Sequence, residues 1–133
     1  MPDLVTKVNP PTLPDSVSLG YSQISTCAPG KLVFISGQVA WRRDGSPVPT
    51  DLAEQAEIAM ANVVHALEAV DATLANITSV RMYVVDPTPD EFMTAARAVM
   101  PFFGDVVPTF TAIGVTALGG DGLRVELEVT AVV

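Results

Sequence analysis

Apolar residues recur at helical spacing in two stretches of the chain and gather into short β-favouring runs elsewhere. Leu52, Ala56, Ala59, Met60, Val63, Leu67 and Val70 form one stripe, while Glu54, Glu57, His65 and Glu68 fall on other faces. The spacing predicts an amphipathic helix over residues 51–70, with Asp51 as its cap and Glu54 placed to reciprocate. A second helix is signalled by Thr88-Pro89-Asp90-Glu91, which offers a cap, a proline at the first helical position and an acid at the third. Phe92, Ala95, Ala96, Val99 and Phe103 continue it at helical spacing, Pro101 weakens its last turn, and Gly104 closes it.

Five runs read as strands. Residues 19–27 and 32–39 flank Ala28-Pro29-Gly30-Lys31, a turn sequence that predicts a hairpin. The second run contains Leu32-Val33-Phe34-Ile35, apolar without alternation, which implies cover on both faces: helices on one side and a neighbouring subunit on the other. Residues 77–85 form a third run, ended by Asp86-Pro87. Residues 109–116 and 123–132 follow, with Gly119-Gly120-Asp121-Gly122 as the turn between them. The order β-β-α-β-α-β-β makes an α+β sandwich. Residues 1–17, rich in proline, read as an arm, either extended along a partner element or loosely ordered, in one domain spanning residues 1–133.

Composition narrows the function classes. A net charge of −8 from 15 acids and 7 bases provides no basic face for phosphates, so nucleic acid and anionic membranes are not expected partners. No transmembrane stretch and no secretory signal are visible. One cysteine and one histidine cannot build a disulfide or a zinc site, which points to a metal-free protein of a reducing, cytoplasmic compartment. With 49% hydrophobic and 17% charged residues, a domain of this size has little polar material for its surface, and some apolar surface is expected in an oligomer interface.

Chemistry is sparse. The last strand alternates Val125, Leu127 and Val129 with Arg124, Glu126, Glu128 and Thr130. Its polar face is either a solvated face on which Arg124 screens two glutamates, or a pocket wall. Two glutamates on one strand are a weak glycosidase signature. Cys27 and His65 read as a packed thiol and a solvated imidazole rather than a nucleophilic pair, and Arg97, Arg42 and Arg43 as exposed cations. No phosphate loop, nucleophile elbow or paired Cys-x-x-Cys occurs, so no cofactor is expected.

Tyr21-Ser22-Gln23, Phe34-Ile-Ser-Gly-Gln-Val-Ala40, Val107-Pro108 and Arg124-Val-Glu-Leu-Glu128 together resemble the RidA/YjgF family over about residues 18–133. The resemblance implies a chorismate-mutase-like fold and a homotrimer with a central β-barrel, outer helices and small-molecule clefts between subunits. It also implies cofactor-free hydrolysis of enamines and imines to a carbonyl compound and ammonia. By position Glu126 matches the acid that orients water, Tyr21 a pocket tyrosine, Ser36 and Gly37 the loop that meets a substrate carboxylate, and Ala112 a residue acting through its carbonyl. The family's carboxylate-gripping arginine is replaced by Phe110, and a pocket asparagine by Ala96. Trp41 either borders the cleft, favouring with Phe110 an aromatic or hydrophobic ligand, or packs at an interface. Arg97, Arg42 and Arg124 are the candidates to replace the missing cation. The alternative function is a non-catalytic ligand-binding or protein-interaction module. Some family members are described as ribonucleases, a reading that the charge of −8 does not favour.

Overall fold

The computed structural model describes residues 3–133. Eight elements organise the chain: β1 (Val5–Val8), β2 (Ile24–Cys27), β3 (Leu32–Gln38), α1 (Leu52–Glu68), β4 (Ile77–Val85), α2 (Pro89–Val99), β5 (Phe110–Val115) and β6 (Val125–Val132). A four-stranded sheet in the order β3-β6-β4-β5 carries both helices on one face, and β1 and β2 form a separate antiparallel pair.

The helices begin where the sequence places them. Asp51 accepts from the Glu54 amide at 3.0 Å, and the Thr88 hydroxyl accepts from the Glu91 amide at 3.2 Å, so each cap satisfies a donor that the helix leaves open. The α1 stripe is buried from Leu52 to Leu67, whereas Val70 lies beyond the helix end and is exposed. α2 stops at Val99 and continues as a 3-10 turn over Met100–Phe103, because Pro101 has no amide to donate. Phe103 is nevertheless buried.

Strand pairing departs from two expectations. The hairpin expected across Pro29-Gly30 does not form. β2 pairs with β1, and the hydrogen-bonding edge of β3 is taken by β6. The intervening turn is a link between sheets, tied by Ala28 to Leu4 and by reciprocal bonds between Lys31 and Val133. Likewise β5 and β6 are not neighbours: β5 runs parallel to β4, and β6 lies antiparallel between β3 and β4. The parallel β4–β5 pair requires a crossover, supplied by α2, which leaves residues 116–124 to cross the sheet end rather than turn tightly. Part of the proline-rich arm is β1, laid along β2.

The two faces of the sheet differ. Val125, Leu127 and Val129 of β6 and Val80, Met82 and Val84 of β4 are fully buried beneath the helices. On the other face Leu32 is 56% and Phe34 75% exposed, so β3 is covered on one side only within the chain.

Gln55 is a buried polar side chain that helical periodicity does not single out. Its amide nitrogen donates to the carbonyls of Pro49 at 2.8 Å and Gly122 at 2.9 Å, and its oxygen accepts from the Arg124 amide at 2.9 Å. One glutamine thereby joins the start of α1, the 116–124 crossing and the entry to β6. Replacing it with leucine keeps the volume but leaves these backbone groups unpaired. Gln55→Leu is expected to lower stability by about 2 to 4 kcal/mol, read as a reduced denaturation midpoint with an unchanged m-value.

Candidate functional site

The alternation of β6 sends Glu126 and Glu128 to the face opposite the helices. Register places Tyr83 beside Glu126 and Arg81 beside Glu128, and cross-strand partners share a face. On the other flank, β3 is irregular between Ile35 and Gln38: these pair with Val129 and Leu127, so Ser36 and Gly37 stand opposite the single residue Glu128. This extra residue is a β-bulge.

The bulge brings Gly37 against Glu126. A side chain at Gly37 would overlap the Glu126 carboxylate, so only glycine permits the carboxyl group to lie over the bulged backbone. Glu126 is half-buried there, and Ser36 beside it is exposed. The arrangement is an acid held against a bulged strand edge on a face open to a ligand or another subunit.

Its neighbours include two residues that the motif reading passed over. Tyr83 donates its hydroxyl to Glu128 at 3.3 Å, and Arg81 approaches the same carboxylate at 3.7 Å. Both partners of the Arg81–Glu128 pair are well exposed, so it adds well under about 1 kcal/mol to stability, and its role is to set charge on this face. The signal was present in the alternation of residues 77–85, which puts Arg81 and Tyr83 on one side. Arg124 does not screen the two glutamates. It lies just before β6 and turns to the helical layer, where its guanidinium meets Glu91 at 3.0 Å and the Thr50 carbonyl at 3.3 Å.

The remaining candidates stand elsewhere. Phe110 is paired with Val80 and Ala112 with Met82, both core residues, so these two positions of edge strand β5 share the helix-covered side. Phe110 packs against the core, as does Ala96 of α2, whereas Ala112 is exposed. Tyr21 is held at the same edge, since Ser22 bridges to Thr109 and donates its amide to Pro108 at 2.8 Å. Trp41 follows β3, at the opposite edge of the sheet. It is 55% exposed, and its ring lies so close to Gly120 that a Cβ there would come within 2.7 Å. One chain therefore gathers Glu126, Gly37 and Ser36 on the open face, and Tyr21, Phe110 and Ala112 at the far edge. Arg97 and Arg42 are exposed and stand outside both groups, and Cys27 and His65 are exposed with no hydrogen bond between them. No cluster of metal-ligating residues occurs among the described residues.

Two ionisable groups are displaced from their ordinary values. Burial pushes Lys7 down, while hydrogen bonds from Ser46 hold Asp44 below the usual carboxylate range.

A four-stranded sheet backed by two helices, with Glu126 of β6 lying against a bulge in β3, marks a small α+β protein, and comparison with known sequences identifies its family. Residues 14–133 match the family described as Endoribonuclease L-PSP. The RutC family protein YjgH of Escherichia coli is 34% identical over 100 residues, covering 74% of each chain. A Rid-family protein of unknown function from Yersinia pestis, YyfB, superimposes with a TM-score of 0.90 at 32% identity, covering 98% of this chain and 99% of that one. TdcF of E. coli, solved with bound serine, gives a TM-score of 0.71 at 25% identity over 85% of this chain and 87% of its own. The chain belongs to the RidA/YjgF family and has its chorismate-mutase-like α+β fold. No helix among the described residues is long and apolar enough to cross a membrane.

The contact between Gly37 and Glu126 is testable without a substrate. Gly37→Ala is expected to force the Glu126 carboxylate out of its place over the bulge, at a cost in stability of about 1 kcal/mol or less because a flexible side chain can move aside. Adding Glu126→Ala should recover most of that loss, giving a non-additive double-mutant cycle by chemical denaturation.

Proposed function

We propose that this protein is a homotrimeric, cytoplasmic hydrolase of reactive carbon–nitrogen compounds, with its clefts between subunits and no bound cofactor. The observation that carries the reading is the separation within one chain of Glu126 on the open face from Phe110, Ala112 and Tyr21 at the far edge of the sheet. A second copy unites the two groups by docking its β5 edge near the bulge of the first. The exposed Leu32 and Phe34 supply the apolar surface for such packing, and covering each Phe34 contributes about 2 kcal/mol.

In the cleft, Glu126 takes a proton from water as the water oxygen attacks the carbon of a C=N bond. With the C=N nitrogen protonated this gives a neutral carbinolamine. Glu126 returns its proton to nitrogen, making ammonia the leaving group, and takes the hydroxyl proton as the C–N bond breaks and the carbonyl forms, the released ammonia then carrying that proton away. An enamine enters the same route after tautomerising to its imine. Phe110 sets the substrate class. It offers no donor to a carboxylate, and each charged hydrogen bond so lost is worth about 1.5 to 3 kcal/mol, which disfavours small polar substrates derived from serine. A hydrophobic or aromatic side chain on the substrate compensates through contact with Phe110 and Trp41. The serine bound to TdcF belongs to that protein and marks the contrast.

A second reading rests on Phe110 packing against the core: the cleft binds a ligand without turning it over. Ammonia release from enamines generated in situ from serine, leucine and phenylalanine donors separates the two. Wild type is expected to exceed the uncatalysed rate most clearly with the phenylalanine-derived compound, and Glu126→Gln to lose at least about 100-fold. Unchanged turnover in Glu126→Gln removes the catalytic role. Silence in wild type with gain in Phe110→Arg establishes the binding reading.

Assembly is tested separately. Light scattering is expected to give three times the 14.0 kDa chain mass for wild type and a monomer for Phe34→Glu, which would bury a charge in the shared interface.

A further inference from the structure

A cavity of about 660 Å³ lies on the helical side of the molecule, across the sheet from Glu126. Its floor is apolar, made by Ile58 and Ala61 of α1 and by Phe102 of the turn after α2, all half-buried. Its rim carries Arg42 and Arg43. In a chain with only 7 bases against 15 acids, these adjacent guanidinium groups have no carboxylate within ion-pair reach among the described residues, whereas Arg81 and Arg124 are both paired.

The loop that carries the two arginines is held in place. Asn62, itself on the cavity wall, donates through one side-chain nitrogen to the carbonyls of Val39 at 3.1 Å and Trp41 at 2.8 Å. The Gly45 amide closes a turn on the Arg42 carbonyl at 3.0 Å, using a left-handed backbone at φ +76° that glycine adopts without strain. Asp44 is occupied within the loop by the amide and hydroxyl of Ser46. Of the two acids on the wall, Asp44 is engaged by Ser46 and also lies within electrostatic range of Arg42, and Glu57 stands on the exposed side of α1.

We infer that this cavity is a second ligand site, which takes a small aromatic carboxylate: the ring on Phe102, Ile58 and Ala61, the carboxylate on Arg42 and Arg43. A planar anion suits the forked donors of arginine, and a preformed loop reduces the entropy lost on binding. His65 closes the far wall with ring nitrogens able to hydrogen-bond. The site is independent of the chemistry assigned to Glu126.

Isothermal titration of the native oligomer with 3-phenylpropionate and with its uncharged amide tests it. The carboxylate is expected to bind once per chain with a Kd below about 1 mM, and the amide about tenfold more weakly. The surface double variant Arg42→Gln/Arg43→Gln should lose at least about tenfold in carboxylate affinity, and Glu126→Gln none. Equal affinity for acid and amide, an unaffected double variant, or no binding of the acid overturns the site. Loss of binding in Glu126→Gln also overturns it, by placing the ligand in the cleft instead.

Discussion

The burial of one face of β6 is the constraint on which the structure depends. Val125, Leu127 and Val129 lie against α1 and among the buried side chains of β4, which fixes the strand's register and leaves no freedom to slip by one residue. The same alternation delivers Glu126 and Glu128 to the opposite face. Hydrophobic packing on one side of the sheet therefore sets the direction of the acid on the other. The final strand of the chain is also a central strand of the sheet, so the core and the candidate site are completed together.

Two local devices refine that placement. The bulge at Ser36–Gly37 shifts β3 relative to β6 and opens the space into which the Glu126 carboxylate lies. Gln55 and Arg124 hold the entry to β6: the glutamine by bonds to three backbone groups, the arginine by its contacts with Glu91 and Thr50. Polar groups that periodicity would assign to solvent thus brace the end of the strand nearest the acid. The 116–124 crossing, which has no regular structure, gains its order from the same bonds.

The uncovered side of the sheet and the helical side differ in chemistry. The former combines exposed Leu32 and Phe34 with a polar cluster of Arg81, Tyr83, Glu126 and Glu128. The latter is shielded over the core and carries the cavity beside Arg42 and Arg43. Phe110 makes the far edge of the sheet an extension of the core. An apolar residue there ties the edge strand to the helical layer.

The two helices, their caps and the alternation of β6 were legible in the amino-acid order because they are governed by neighbours three, four or two positions away. The Ser36-Gly37 and Glu126 motif likewise identified residues that lie together, although the overlap that requires glycine became visible only when β3 was laid beside β6. Strand partners were not legible: Pro29-Gly30 has the chemistry of a hairpin turn, and Gly119 to Gly122 that of another, yet neither joins neighbouring strands. Which edges pair is decided by competition among distant segments to bury the apolar faces of β4 and β6, a non-local balance that turn residues do not encode. The destination of Arg124, the buried state of Gln55 and the division of the candidate site between two faces follow from that same choice of partners. The sequence by itself determined the elements and which side of each is apolar; the tertiary structure decided their neighbours, because pairing energy is shared across the whole sheet.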